Sequence, residues 1–357
     1  MNDRTVDAVR ALLREFRAGT RYALARAISL VENQRDGFEL LLHEIRGELG
    51  RAQRIGLTGP PGAGKSTLTS GLAQGYRARG ERVGIVAVDP TSPFTGGALL
   101  GDRIRMGDVS TDPGVFIRSM ATRGSLGGIA TTTREVADVM DAFGFARVLT
   151  ETVGVGQSEL EIAGAADTTV VILVPESGDG IQAMKAGLME IADVFVVNKA
   201  DRPGADRLAQ ELEMMLHLRL GEAPASAAAG HHGALPRGVG HAARERAREE
   251  QAERGGWPVP VLRTIARSGE GLEALLATLD RHAVYLEESG ELSRRRRRRL
   301  AERVRSVVDR DVKRLVWESG PGERMLRDAL PALESGAESP YSVAARIVSA
   351  TGAGPSA

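Results

Sequence analysis

One eight-residue segment, Gly59 to Ser66, restricts the possible folds of this chain more than any other feature. It reads Gly-Pro-Pro-Gly-Ala-Gly-Lys-Ser, a glycine, four further residues and then Gly-Lys-Ser, which is the phosphate-loop pattern. The apolar run 54–58 before it predicts a buried strand, and the run 67–79 after it predicts a helix. Backbone N–H groups in such a loop, together with the start of the helix, can bind phosphate oxygens. The pattern therefore predicts a nucleoside triphosphate site formed by Gly59, Pro60, Pro61, Gly62, Ala63, Gly64, Lys65, Ser66 and Thr67.

Two side chains of this loop and three acidic residues have predicted chemical roles. The Lys65 ammonium group can bridge the terminal phosphates, and the Ser66 hydroxyl can bind Mg²⁺. Asp89 and Glu151 follow the apolar runs 83–88 and 147–150, and Asp102 is a third acidic candidate. Because Mg²⁺ takes few carboxylates and keeps several waters, these three acids need not all bind it directly. The predicted metal ligands are Ser66, Asp89, Asp102 and Glu151, and the predicted catalytic residues are Lys65, Asp102 and Glu151.

The segment that begins at Glu151 also carries a phosphate sensor. It reads Glu-x-x-Gly, where ordinary phosphate-loop GTPases have Asp-x-x-Gly, and its last residue is Gly154. The longer carboxylate can reach Mg²⁺ or hold a coordinating water. The N–H group of Gly154 can contact the γ-phosphate, so Gly154 is a predicted nucleotide-binding residue.

A second motif predicts which nucleotide is bound. The apolar strand 194–198 ends in Asn198-Lys199-Ala200-Asp201, which fits the Asn-Lys-x-Asp pattern. The Asp201 carboxylate can accept hydrogen bonds from guanine N1–H and the 2-amino group, a donor pair that adenine lacks. Such charge-assisted bonds contribute about 1.5–3 kcal/mol each. We therefore predict that the chain binds GTP, with Asn198 tying this loop to the phosphate loop and Lys199 covering the base.

The order of apolar runs predicts the fold class. Strand-like runs alternate with helix-like runs between residues 53 and 285, which is typical of an α/β phosphate-loop NTPase domain with a mostly parallel, doubly wound sheet. Residues 1–52 and 286–357 are helix-patterned, and we expect them to be N-terminal and C-terminal helical arms, the latter including dimerisation helices and a tail. The insert 221–256 is rich in Ala, Gly and Arg and is expected to be a flexible surface segment. The predicted strands are 54–58, 83–88, 115–118, 147–151, 168–174, 194–198 and 259–264.

Composition excludes several classes of partner. Lys plus Arg and Asp plus Glu both number 47, so no net charge favours nucleic acid or an anionic membrane. No apolar run is long enough to span a bilayer, and residues 1–4 lack the basic-then-apolar pattern expected of a secretory signal. The chain has no cysteine, which excludes thiolate metal sites and agrees with a cytoplasmic protein. The basic run from Arg294 to Arg299 is expected to be a solvated helix face.

These motifs together resemble those of a known family, the methylmalonyl-CoA mutase-associated GTPases of the MeaB/ArgK type. The resemblance runs from about Leu24 to Arg310 and is most specific in the Glu-Thr-Val-Gly-Val-Gly-Gln-Ser run that starts at Glu151. It implies a GTPase that escorts an adenosylcobalamin-dependent acyl-CoA mutase, gates cofactor loading and protects the mutase. It also implies a homodimer joined through its C-terminal helices. The segments that carry the resemblance are 59–67, 88–92, 95–103, 151–159 and 198–201.

The resemblance also implies roles for two further segments. Residues 178–185 resemble a third switch that faces the mutase, in which Asp179, Gln182 and Lys185 would signal to the partner. Residues 264–267 stand where the family has its second guanine loop. There Ala266 would contact guanine O6 through its N–H, and Arg267 would lie beside the nucleotide.

Two other functions remain open from the sequence. A nickel or cobalt metallochaperone GTPase has a similar fold, but it would need a thiolate or a dense histidine site. A kinase of a transport protein would need a site for a protein hydroxyl group. Phosphate release measured with and without a mutase distinguishes all three.

Overall fold

The computed structural model describes residues 3–89, 107–121, 128–152, 162–176, 187–219 and 256–350. These fall into two compact units, Met1–Arg296 and Arg297–Ala357. The insert expected at 221–256 lies, except for Gly256, outside the described residues. Within the described part of the chain, no helix is long and apolar enough to cross a membrane.

The first unit is built on a seven-stranded sheet in which every strand pairs with its neighbours in parallel. The strand order is β3-β2-β4-β1-β5-β6-β7, so β1 lies between β4 and β5. This confirms the predicted α/β class. The strands are β1 Gln53–Thr58, β2 Val83–Asp89, β3 Val115–Ala121, β4 Arg147–Thr152, β5 Thr168–Leu173, β6 Val194–Asn198 and β7 Val261–Thr264.

The helices of the first unit cover both faces of the sheet. Alternate residues of β5 show this, because Val170 and Ile172 join one buried cluster while Val171 and Leu173 join another. The helices of the whole described chain are α1 Asp3–Arg17, α2 Arg21–Glu32, α3 Phe38–Ile45, α4 Lys65–Ala78, α5 Gly107–Ser110, α6 Gly128–Ala142, α7 Leu188–Ile191, α8 Ala205–Arg219, α9 Leu272–Glu288, α10 Glu291–Trp317, α11 Gly322–Glu334 and α12 Pro340–Ala350.

The N-terminal helices are part of the main core. The apolar face of α1 is buried, and it packs in one cluster with residues of α2, α3 and α6 and with strand residues such as Val86 and Val148. On the opposite face, α4 approaches α9 closely. A Cβ added to Gly75 of α4 would lie 2.4 Å from Leu276 Cδ1. That contact fixes the helix that follows the phosphate loop against its neighbour.

The start of β7 and the surroundings of the basic run differ from the expectation. Strand β7 begins at Val261 rather than at residue 259, and the segment before it contains Pro258 and Pro260, which have no N–H to donate to a neighbouring strand. The basic run is also not wholly solvated. Arg295 donates from both Nη atoms to the Asp193 carboxylate at 2.9 Å, and Arg296 donates to Asp167 Oδ2 at 2.9 Å. These two arginines bind the start of α10 to the amino-terminal ends of β5 and β6.

The second unit contains the rest of α10, together with α11 and α12. A small core of Ala329, Val343 and Ile347 joins α11 to α12, with partly buried neighbours around it. Helix α10 has no buried residue, although it carries several large apolar side chains.

Candidate functional site

The phosphate loop lies at the carboxyl end of the central strand β1, where parallel sheets of this kind bind ligands. Two of its glycines are required by their surroundings. Gly59 has φ 143°, and a Cβ there would lie 2.0 Å from the backbone oxygen of Ile172. Gly64 has φ 87°, and a Cβ there would lie 2.3 Å from Nδ2 of Asn198. The loop can therefore lie against β5 and the end of β6 only without side chains at these two positions.

Lys65 is the first residue of α4, and its side chain folds back into the loop. Its Nζ donates hydrogen bonds to the backbone oxygens of Gly59 at 2.8 Å and Pro60 at 3.0 Å. The residue is only 6% exposed. This geometry holds the ammonium group within the segment that the sequence predicts to surround the phosphates, so the cation is already oriented for an anionic ligand.

Two of the predicted metal ligands meet beside the loop. The Ser66 hydroxyl donates to Oε1 of Glu151 at 2.5 Å. Glu151 is 1% exposed, and its strand β4 places it between Leu57 of β1 and Ala87 of β2. A hydroxyl and a carboxylate oxygen in contact form a suitable pair for a hard cation such as Mg²⁺, directly or through water.

The other acidic candidates are only partly observed. The backbone of Asp89 ends β2 at the same edge of the sheet as Glu151, opposite Ala121 of β3. Asp102 and Gly154 lie outside the described residues, as do Asp179, Gln182 and Lys185. Among the described residues, no group of three or more His, Cys, Asp or Glu side chains could hold a metal ion.

Asn198 connects three loops of the site. Its Nδ2 donates to the backbone oxygen of Ala63 at 2.7 Å, which is the predicted tie to the phosphate loop. Its Oδ1 accepts from the Thr264 hydroxyl at 3.1 Å and from the Ala266 N–H at 3.0 Å. Ala266 was expected to donate to guanine O6. In the structure its N–H donates to Asn198, because the loop after β7 closes over the end of β6.

The loop after Asn198 presents the predicted base-reading carboxylate. Lys199 has φ 56°, in the left-handed region, and the Arg202 N–H donates to the Lys199 backbone oxygen at 3.0 Å. This turn leaves Asp201 exposed, and Arg267 on the adjacent loop is exposed as well. A carboxylate in this position is accessible to the edge of a purine.

Two contributors to the site were missed by the sequence analysis. The Thr264 hydroxyl holds Asn198, and the Glu176 carboxylate binds the Arg202 guanidinium across the gap between two loops. Glu176 belongs to no nucleotide-binding motif, and Thr264 begins the second guanine loop without having been assigned a role there. A signal existed for both in the strand pattern, since each follows or ends a predicted strand at the carboxyl edge of the sheet.

Comparison with known proteins agrees with this geometry. The family model described as "Methylmalonyl Co-A mutase-associated GTPase MeaB" matches residues 24–320. A Pyrococcus horikoshii protein that bears the name GTPase is 46% identical over 297 residues, which are 83% of this chain and 84% of that protein. The mouse protein named "Methylmalonic aciduria type A homolog, mitochondrial" is 35% identical over 296 residues, which are 78% of this chain and 64% of the mouse protein.

A solved structure shares the fold over nearly the full length. The structure titled "LAO/AO transport system kinase" has a TM-score of 0.64 and covers 98% of each chain. Its sequence is 24% identical to this one, so the likeness shows the fold alone.

Proposed function

Because this chain belongs to the MeaB family of methylmalonyl-CoA mutase-associated GTPases, we propose that it is the GTPase chaperone of an adenosylcobalamin-dependent acyl-CoA mutase. In this function GTP binding and hydrolysis gate cofactor loading and protect the mutase. The match over residues 24–320 is the observation that carries the proposal, because a single family model covers the phosphate loop, Glu151 and Asn198. The name of the mouse relative refers to methylmalonic aciduria, and this supports a mutase of the methylmalonyl type.

The chain's own residues divide the work of hydrolysis. The loop N–H groups and Lys65 bind and orient the phosphates, and Lys65 exchanges its backbone oxygen partners for phosphate oxygens. Ser66 and Glu151 would hold Mg²⁺ directly or through water, with Asp89 and Asp102 as further acidic groups; the ion would supply charge neutralisation at the β- and γ-phosphates. The position of Glu151 in a buried strand keeps its carboxylate fixed beside the loop.

Guanine selection is assigned to the loop after β6. The exposed Asp201 carboxylate would accept from N1–H and the 2-amino group, and Lys199 would cover one face of the base. Ala266 would approach guanine O6 with the N–H that Asn198 now accepts, and Arg267 would flank the nucleotide.

We also propose that the protein is a homodimer joined through α10. Six large apolar side chains are exposed on this helix, and five of them recur every three or four residues: Leu300, Val304, Val308, Val312 and Leu315, at 62%, 63%, 52%, 44% and 59%. Their spacing places them on one side of the helix. An exposed apolar stripe of this length is typical of a surface that binds another protein, and a second copy of α10 offers the same stripe.

The test of the mutase role is GTP turnover with and without an adenosylcobalamin-dependent acyl-CoA mutase. We expect the mutase to raise the rate, because a partner that orders catalytic segments places water and metal better. Lys185→Ala is expected to reduce this stimulation more than the basal rate. Absence of stimulation by any acyl-CoA mutase would remove the chaperone proposal. Transfer of phosphate to a protein hydroxyl group would favour the kinase. A GTP turnover rate that rises with nickel or cobalt would favour the metallochaperone.

A further inference from the structure

Glu176 lies at the nucleotide edge of the sheet without belonging to any nucleotide-binding motif. It follows the end of β5, and β5 lies between β1 and β6. The carboxyl end of β5 therefore opens between the phosphate loop and the loop that carries Asp201. The carboxylate of Glu176 accepts a hydrogen bond from Arg202, the residue immediately after Asp201.

The turn that presents Asp201 needs support from outside itself. Lys199 adopts φ 56°, a conformation that a residue with a Cβ enters at a cost. One end of the turn is held, since Asn198 is bound to Ala63 and the Ala200 N–H donates to the Thr264 backbone oxygen at 3.0 Å. The other end is held at Arg202 by Glu176.

Packing brings the two loops together at the same place. Gly204 has φ 91°, and a Cβ added there would lie 3.7 Å from Pro175 Cβ, an ordinary van der Waals distance. The residue before Glu176 thus lies beside the end of the turn that starts at Lys199. The ion pair between Glu176 and Arg202 therefore joins two loops that are already in contact.

Acidic and basic side chains lie close together where the loops after β5 and β6 meet. The hydrogen bond from Arg202, with a further contribution from the charge of Lys199, lowers the pKa of Glu176. The pKa of Arg202 is raised by Glu176 and by the neighbouring charge of Asp201. Glu176 is therefore the counter-ion of Arg202, and its removal would leave the end of the turn without the ion pair that holds it.

We infer that Glu176 is a positioning residue for guanine recognition, acting through Arg202 to hold the Asp201 carboxylate at the angle that guanine requires. This inference rests on the proposed role of Asp201. Without the pair of Glu176 and Arg202, the end of the turn is no longer held, and the Asp201 carboxylate moves away from the 2-amino group of the base. The consequence is a loss of preference for guanine over hypoxanthine, which keeps N1–H but lacks the 2-amino group.

The experiment measures the affinities of the full chain for GDP and for inosine diphosphate. Wild type is compared with Glu176→Gln, Arg202→Gln and the double variant. Because exposed ion pairs are weak, we expect about a two- to fivefold loss of GDP affinity in each single variant. A smaller loss is expected for inosine diphosphate, so the ratio of the two affinities falls. The double variant should match the single ones, since the two side chains act as one pair.

A matched control and a salt series complete the test. Arg207→Gln removes another exposed ion pair, to Glu211 on α8, and it should leave both affinities unchanged. Raising the ionic strength from about 0.1 M to about 1 M shortens the screening length from about 10 Å to about 3 Å. The wild-type ratio should then move toward that of Glu176→Gln, while the ratio of the variant stays constant.

An unchanged affinity ratio in Glu176→Gln would overturn the inference, as would additive losses in the double variant. If Asp201→Asn still loses its preference for GDP in that case, the guanine assignment stands and only the role of Glu176 fails. If Asp201→Asn also binds GDP normally, both fail together.

Discussion

At the residue scale, Asn198 shows how one side chain assembles the site. Its amide group donates to the phosphate loop and accepts from the last residue of β7 and from the loop that follows β7, so three segments meet at this one buried residue. Only glycine fits at position 64, because the Asn198 amide occupies the space that a Cβ atom would need. Asn198 therefore couples the phosphate loop to the base-reading loop, and we expect a substitution in one loop to shift the position of the other.

The first prediction concerns Asp201. Asp201→Asn replaces an acceptor of two guanine donors with an amide, which can donate to the 2-oxo group of xanthine. Loss of one charge-assisted bond of about 1.5–3 kcal/mol predicts about a tenfold to hundredfold loss of GTP affinity. Titration with GTP and XTP measures both affinities, and XTP binding should improve. Unchanged GTP affinity would refute the assignment of Asp201 to guanine.

The second prediction concerns Lys65 and Glu151. Lys65→Ala removes the cation held inside the loop, and Glu151→Gln keeps the size of the side chain but removes its charge. Each is expected to lower the GTP turnover number by about 10²–10³, the usual effect of losing one preorganised group. Glu211→Gln, on the exposed face of α8, is the control and should turn over GTP normally. Normal hydrolysis by Glu151→Gln would exclude Glu151 from the metal shell, provided that the melting temperatures agree.

At the element scale, α9 and the start of α10 bind the amino-terminal ends of β5 and β6. These ends lie at the edge of the sheet opposite the candidate nucleotide site. Arg295 binds Asp193, the residue before β6, and the same carboxylate lies 3.4 Å from Nε2 of His282 on α9. The other ring nitrogen, Nδ1, lies 2.8 Å from the Thr168 hydroxyl at the start of β5. His282 is fully buried, and Trp257 packs on its ring at a centroid distance of 4.6 Å.

The third prediction follows from this environment. Burial lowers the pKa of His282 from 6.5 to about 4, an effect that Asp193 opposes and Arg295 reinforces. Since the folded pKa lies below the unfolded one, this contribution to stability is complete above pH 6.5 and is lost as the pH falls toward 4. The full loss is about 3 kcal/mol for a shift of this size.

Urea unfolding of wild type and His282→Gln between pH 7 and pH 4 tests this dependence. The free energy of unfolding of His282→Gln should fall less steeply with decreasing pH. His43→Gln, which changes an exposed histidine on α3, is the control and should retain the wild-type slope. Equal slopes for wild type and His282→Gln would contradict the prediction.

At the scale of the whole molecule, the exposed stripe on α10 determines whether the chain acts alone. A monomer would leave Leu300, Val304, Val308, Val312 and Leu315 in water. Such contiguous exposure is uncommon in monomers, because burying apolar surface yields about 25 cal/mol per Å².

The fourth prediction tests the proposed homodimer. Val304→Glu combined with Val308→Glu places two charges in the stripe, and we expect it to shift the mass measured by light scattering from dimer to monomer. Lys313→Glu introduces the same side chain on the opposite side of α10 and should remain a dimer. A monomeric wild type, or a dimeric double variant, would show that α10 does not join two copies.

Local patterns of the sequence determined most of what this chain is. Apolar runs of strand length predicted all seven strands within a few residues, because a buried parallel strand needs a continuous apolar segment. The phosphate loop and the Asn-Lys-x-Asp loop could be predicted for a similar reason. Each is a short continuous segment whose backbone conformation and side chains act together. The family assignment followed from those same stretches, and the comparisons confirm it.

Only the tertiary structure decided which distant residues meet. Glu176 and Arg202, or Arg295 and Asp193, are ordinary charged residues in the sequence, and the basic run that contains Arg295 was expected to be solvated. Likewise, the N–H of Ala266 donates to Asn198 because β6 and β7 are neighbours in the sheet. Such contacts arise from the packing of elements separated by many residues, and a pattern read along the chain contains no record of those distances.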